Sequence, residues 1–269
     1  MAMAKLDLGA LHYQTKGTGP ALIMLLPISR GPEGLNRLIH KLADDFQVIW
    51  YDQRGYGESP AGGQVGAVPL AERAQEVLQL MAYLGLQEAH LLAHSTGCGI
   101  ALEVIAAAPS HVLTVSLISP WSYGDPQLIQ MQGLRVSVAA VLSPSDYAQY
   151  NASLLFPPWY RRQHAAGFAD LALAAMAHPQ DAKSIENGLI PILQFDGRNI
   201  AASVKCPALI MNADDDQLMP PWHGECLADI IDGARFVPLP TGGHMLLETS
   251  CDVVIKNVNT LINRHKKLN

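Results

Sequence analysis

Short apolar runs alternate with helical patterns along most of this chain, and no other feature restricts its fold as strongly. Residues 21–26 are apolar without interruption, the pattern of a strand buried on both faces. Runs at 46–51, 89–93, 112–118, 208–211 and 235–239 read as further strands, with 6–8 and 11–14 as edge strands ahead of the turn Gly17-Thr18-Gly19-Pro20. Between them, residues 33–42, 69–84, 97–108, 221–231 and 252–266 read as helices. Ala74, Val77, Leu78, Met81 and Leu84 share one face of the second, and Val254, Val258, Leu261 and Ile262 one face of the last. Strand and helix in alternation predict an α/β protein: a mostly parallel, eight-stranded sheet with helices on both faces.

The stretch from Trp121 to about Ser203 breaks this rhythm. It has helical periodicity without a convincing strand, and Pro157-Pro158 marks a sharp break between helices. The expected organisation is a core of residues 1–120 and 204–269 with an all-helical cap, 121–203, inserted after the sixth strand. A chain of 269 residues, 49% hydrophobic, has enough apolar surface for one such large unit. Its formal charge is −6, and only Arg264-His265-Lys266-Lys267 is locally basic, so an electrostatic footprint for nucleic acid is missing. No apolar run reaches the ~18–20 residues of a membrane span, and the first residues do not resemble a signal peptide. The four cysteines have no metal-site spacing and read as reduced thiols, and HExxH is absent. The expectation is a cytoplasmic monomer or homodimer that takes a small-molecule substrate and uses no metal or other cofactor.

The chemistry lies in Leu91-Leu92-Ala93-His94-Ser95-Thr96-Gly97-Cys98-Gly99. A buried strand runs straight into a serine and a small, glycine-rich helix start. Such a bend holds a serine in a strained geometry with its hydroxyl exposed, and it requires small neighbours, hence G-x-S-x-G; here Ala93 replaces the first glycine. A neutral hydroxyl is a poor nucleophile and needs a base. Of ten histidines, His244 has the fitting position, after Thr241-Gly242-Gly243 at the carboxyl edge of the sheet. His94 should point away from the serine and reads as structural. A carboxylate must then fix the imidazole tautomer. Asp214-Asp215-Asp216 offers three, and Asp216, 28 residues before His244, leaves room for one helix and one strand between them.

Taken together, the Ser95 bend, the Asp216 loop, Gly242-Gly243-His244 and Tyr51-Asp52-Gln53-Arg54-Gly55-Tyr56-Gly57-Glu58-Ser59 make the chain resemble the α/β-hydrolase superfamily over essentially its whole length. It is most similar to the small aminoacrylate-hydrolase and 3-oxoadipate-enol-lactonase-like group. The nearest echoes in the insert are Ser119-Pro120-Trp121, Arg135 and Leu154-Leu155-Phe156-Pro157-Pro158-Trp159. The resemblance implies catalytic roles for Ser95, Asp216 and His244, with Asp216 placed by its position four residues before Pro220. It also implies structural roles for Asp52 and Arg54, and a cap that roofs the pocket.

One departure matters. The family has His-Gly after the third strand, where this chain reads Leu25-Leu26-Pro27-Ile28-Ser29-Arg30-Gly31. By position, the oxyanion donors are the amides of Ser29 and Thr96. Candidate substrate contacts are Ile28, Arg30, Trp121, Arg135 and Trp159, with Tyr123, Met131, Leu155 and Phe156 as further wall residues. An arginine entering the pocket would select a carboxylate; for Arg30 a solvent-facing position is the alternative. The expected function is cofactor-free serine hydrolysis of a small ester, lactone, amide or enamine-like bond. Two other readings stay open: a lyase or carbon–carbon bond hydrolase that uses the triad as a general base, and a ligand receptor without turnover.

Overall fold

The computed structural model describes residues 2–28, 31–62, 66–177, 179 and 181–268, the side chain of Leu268 excepted. The chain runs β1 (Ala2–Leu6), β2 (Gly9–Lys16), β3 (Ala21–Leu25), α1 (Asn36–Leu42), β4 (Gln47–Tyr51), α2 (Leu70–Tyr83), β5 (Ala89–His94), α3 (Thr96–Ala107) and β6 (Val112–Ile118). Six helices follow: α4 (Pro126–Ala139), α5 (Pro144–Leu155), α6 (Pro158–Gln163), α7 (Ala165–Ala177), α8 (Ala182–Gln194) and α9 (Arg198–Ala201). The alternation then resumes with β7 (Ala208–Ala213), α10 (Pro221–Ile230), β8 (Arg235–Leu239), α11 (Leu246–Thr249) and α12 (Cys251–Leu268).

The eight strands form one sheet in the order β1-β2-β4-β3-β5-β6-β7-β8. β1, β2 and β4 pair antiparallel, and all pairs from β4–β3 onward are parallel. β3, β5 and β7 are buried at every residue, as their unbroken apolar sequences require. Alternate side chains serve opposite layers. Ile23, Leu25, Leu91, Ala93, Val115 and Leu117 pack with α2 and α3, whereas Leu22, Met24, Leu92, Ile118 and Met211 pack with α1 and with the Val254, Val258, Leu261 and Ile262 stripe of α12.

Two element starts differ from the sequence reading by three residues or more. The first strand is Ala2–Leu6 rather than 6–8, because Asp7 and Leu8 make the turn into Gly9, whose φ of 126° suits glycine. The first helix begins at Asn36 rather than at 33, because Gly34 adopts φ 61° just before it.

In the insert, α4 and α5 start with proline at the first helical position behind an Asp or Ser cap. Asp125 accepts from the Leu128 amide at α4 (2.7 Å), and Ser143 and Asp181 serve α5 and α8 in the same way. Among the described residues no helix is long and apolar enough to cross a membrane.

The strand order reverses on either side of β3: α1 leads to β4 on one flank, and α2 leads to β5 on the other. The crevice at the carboxyl ends of β3 and β5 is therefore where a ligand fits an open α/β sheet. Ser95 follows β5 at that point.

Candidate active site

Ser95 joins β5 to α3 with φ 54° and ψ −124°, a strained conformation for a residue with a side chain. The surroundings hold it there. Its amide donates to the Ile118 carbonyl (3.0 Å), and its carbonyl accepts from the Cys98 amide (2.7 Å). A Cβ on Gly97 would collide with the Leu25 carbonyl, so the helix start lies against β3 only because that residue is glycine.

His244 reaches the serine from the loop between β8 and α11. Its Nε2 is 2.7 Å from Ser95 Oγ, and its Nδ1 is 2.8 Å from Asp216 Oδ2. A carboxylate only accepts, so Nδ1 carries the proton and Nε2 is free to accept from the serine hydroxyl. Asp216 is held in turn: its Oδ1 accepts the amides of Leu218 and Met219, both at 2.9 Å. All three side chains are at most 5% exposed. The sequence reading chose Asp216 among three aspartates, and the structure brings Asp216 to His244. Asp215 turns to the neighbouring loop, accepting from the Gly243 amide and the Thr241 hydroxyl (2.7 Å each).

The His244 backbone is pinned from three sides. Its carbonyl accepts from His94 Nε2 (2.8 Å) and from Ser119 Oγ (2.9 Å), and its amide donates to the Leu155 carbonyl at the end of α5 (2.9 Å). Ser119 is the second residue with a side chain in the left-handed region (φ 48°) among the described residues. Sequence reasoning missed its role. The only signal was its place before Pro120 at the end of a buried strand.

A cavity of about 120 Å³ lies over Ser95 and His244. Thr96 and Ile28 line its floor, and Leu155, Ile185, Gly188 and Leu189 lie on the insert side. A second cavity of about 250 Å³ adjoins it and shares Ile28, Tyr56, Thr96, Ser184 and Gly188. Thr96 is the first residue of α3, so its amide has no partner within the helix and is available at the serine.

Arg135 lies in the cavity wall. Its guanidinium donates to Gln132 Oε1 (2.6 Å) and Asn151 Oδ1 (2.7 Å), while its Nε is buried without a partner. Its electrostatic neighbours are the phenols of Tyr147 and Tyr150; among the described residues no carboxylate faces it, and burial pushes its pKa below the usual arginine value.

Other expected residues lie elsewhere. Ser29 and Arg30 are outside the described residues. Trp121 is not a wall residue: it is fully buried against Phe195 under the insert, and its indole N–H donates to the Ile192 carbonyl (3.0 Å). Trp159 is 44% exposed and donates to Thr241 Oγ1 (3.0 Å) on another face, so it too leaves the wall. Of the further wall candidates, Leu155 lines the cavity, whereas Tyr123, Met131 and Phe156 do not. Gln132, Tyr147, Asn151 and Ser184 line it without having been singled out, since polar residues on an inserted helix look like ordinary solvent-facing positions. Asp52 and Arg54 stand in scaffold contacts. Asp52 meets His12 Nδ1 (2.9 Å), and Arg54 pairs with Glu72 and with Glu76 (2.8 Å).

The family described as "alpha/beta hydrolase fold" matches residues 29–250. A protein of Azorhizobium caulinodans named "Putative carbamate hydrolase RutD" is 27% identical over 243 residues, 90% of this chain and 91% of that protein. A protein of the same name in Pseudomonas savastanoi pv. phaseolicola is 29% identical over 224 residues, 82% and 86% of the two chains. Among solved structures, the enol-lactonase from Burkholderia xenovorans LB400 superposes with a TM-score of 0.84 at 22% identity, over 97% of this chain and 100% of that one. A thermophilic esterase from Thermogutta terrifontis gives 0.81 at 19% identity, over 98% and 99%.

Proposed function

Because the chain belongs to the α/β-hydrolase family and is a hydrolase, we propose that it cleaves a small, carboxylate-bearing ester, lactone, amide or enamine-like substrate through Ser95, His244 and Asp216, without a cofactor. The observation that carries this reading is the unbroken series from Ser95 Oγ through both imidazole nitrogens to Asp216 (2.7 and 2.8 Å). With an acyl substrate, Ser95 Oγ attacks the carbonyl carbon as its proton passes to His244 Nε2. Asp216 stabilises the imidazolium, and His244 returns the proton to the leaving group. The oxyanion falls to the Thr96 amide and, by position, to that of Ser29. Water activated by His244 then releases the acyl group.

Size and charge narrow the substrate. Cavities of about 120 Å³ over Ser95 and about 250 Å³ beside it have room for a small substrate. Arg135 in the wall of the first matches a planar O–C–O group by bidentate pairing. A carbamate, the substrate class in the relatives' printed name, carries the acyl carbon that Ser95 would attack. In this reading α4–α9 act as a cap that shapes the pocket and excludes water.

The test is Ser95→Ala with p-nitrophenyl acetate as probe. Hydrolysis should fall at least ~10³-fold with an unchanged melting temperature, and an organophosphonate should label wild type at Ser95 alone. Hydrolysis undiminished in the variant overturns the assignment. An acyl adduct seen by mass spectrometry excludes a purely general-base role for Ser95, and ligand binding without turnover or adduct makes the protein a receptor.

A further inference from the structure

The segment that fixes Asp216 also delivers a side chain to the nucleophile. Met219 is pinned along its backbone: its amide donates to Asp216 Oδ1 (2.9 Å), its carbonyl accepts from Nδ2 of the fully buried Asn212 (3.3 Å), and Pro220 follows as the cap of α10. From this anchored position its Sδ lies 4.0 Å from Ser95 Oγ. The serine proton goes to His244 Nε2 at 2.7 Å, so the sulfur meets the oxygen as a packing contact rather than as a hydrogen-bond acceptor. Met219 is buried and lines the cavity together with Leu218, Leu189 and Ile192, all members of one apolar cluster.

A carbonyl carbon bonded to Ser95 Oγ carries three further groups. The oxyanion turns to the Thr96 amide, the leaving group to the His244 proton, and the acyl group takes the direction that remains. Sulfur and oxygen 4.0 Å apart are already in contact, so nothing fits between them. The atom next to the carbonyl carbon is then the part of the substrate that comes up against the thioether. We propose that Met219 is a specificity-determining residue: it admits acyl groups whose first atom is a CH3, CH2 or NH2 and excludes those branched at that atom. A methionine on a mobile loop would swing aside, whereas one clamped at its amide, its carbonyl and the following proline has only its own rotamers, in an apolar setting. The backbone of the same residue holds Asp216, so the wall and the carboxylate move together or not at all. The proposal rests on the reading of Ser95 as nucleophile and narrows its substrate to an unbranched acyl or carbamoyl group.

The experiment compares two isomeric esters with the same leaving group, p-nitrophenyl butanoate and p-nitrophenyl 2-methylpropanoate, by the ratio of their kcat/KM values. Wild type should prefer the straight chain by at least about 10-fold, the discrimination one methyl group carries in an apolar pocket. Met219→Ala should bring the ratio to within about threefold of unity, and Met219→Leu, which keeps the volume, should leave it within about threefold of wild type. Loss of activity on both esters alike, with the wild-type ratio kept, is what a purely structural methionine gives, and it overturns the proposal. A wild type that does not discriminate overturns it too. Should Met219→Ala fail to fold, Met219→Val decides by the same ratio, which should fall at least about threefold. Failure of the parent reading looks different: Ser95→Ala then hydrolyses both esters as fast as wild type, and this proposal falls with it.

Discussion

Arg135 sits where a charge is costly. Removing an ion from water costs several kcal/mol unless a partner of opposite sign compensates. Its guanidinium instead faces Gln132, Asn151 and two tyrosines, with Nε unsatisfied. Such a cation destabilises the empty protein and is relieved by an anion in the cavity. Replacing Arg135 with Met should therefore leave the melting temperature unchanged or raise it. It should also raise KM for monomethyl succinate about 10- to 100-fold, the equivalent of the ~1.5–3 kcal/mol carried by charge-assisted hydrogen bonds. KM for methyl acetate, which has no carboxylate, should move by less than threefold. Steady-state kinetics on both esters checks this, and equal losses on the two would remove Arg135 from carboxylate recognition. At this scale the sequence was informative where chemistry demands a residue type: Ser95 and His244, singled out on that ground, lie 2.7 Å apart. It was uninformative where packing chooses among equals. Trp121 and Trp159 had the same aromatic signal as a pocket wall; one lies under the insert and the other on a different face.

At the scale of elements, hydrophobic period and glycine placement settled most of the fold. The strand at 112–118 matches β6, because burial on both faces leaves a run with sharp ends, and 235–239 matches β8, a partly exposed edge strand. The first strand slipped because β1 is an exposed edge whose alternation is weak, with the burial pattern of a half-wet ribbon. The helix start at Thr96 shows what glycine does in this fold. In α3, Gly97 faces the Leu25 carbonyl with no room for a methyl group, whereas in α4 Gly133 has open space around it. Gly97→Ala should cost roughly 3 kcal/mol or more by forcing α3 off β3, and should slow organophosphonate labelling of Ser95. Gly133→Ala should stabilise by about 0.5–1 kcal/mol through helix propensity. Urea denaturation of the two variants tests the pair. A Gly97→Ala protein as stable as wild type would mean that the close approach of α3 to β3 is not required.

For the whole molecule, what sequence could not reveal is how distant segments are tied together. The insert meets the core through Leu155 on the His244 amide, Trp159 on Thr241, and Trp222 on Asp125 (3.0 Å). None of these pairs has a local sequence signature. The opposite layer depends on a buried imidazole in the same way. His90 is 2% exposed, with Nδ1 3.0 Å from Thr114 Oγ1, and it lies edge-on to Phe46 and to His265 of α12. Burial, aided by His265 and Lys266, pushes its pKa down to about 4. The unfolded chain takes up a proton near pH 6.5 while the folded chain resists it down to about 4. Stability from this site is thus full above 6.5 and lost as pH falls through that window. By pH 4.5 the loss is about 2–3 kcal/mol. His223, also lowered by burial, adds in the same direction, and Glu248, raised by burial, opposes it. Both are common to wild type and a His90→Gln variant, whose amide still reaches Thr114. Urea unfolding at pH 7.5 and 4.5 should therefore show wild type losing about 2–3 kcal/mol more than His90→Gln across that interval. Equal losses in the two proteins would show that burial does not keep His90 neutral.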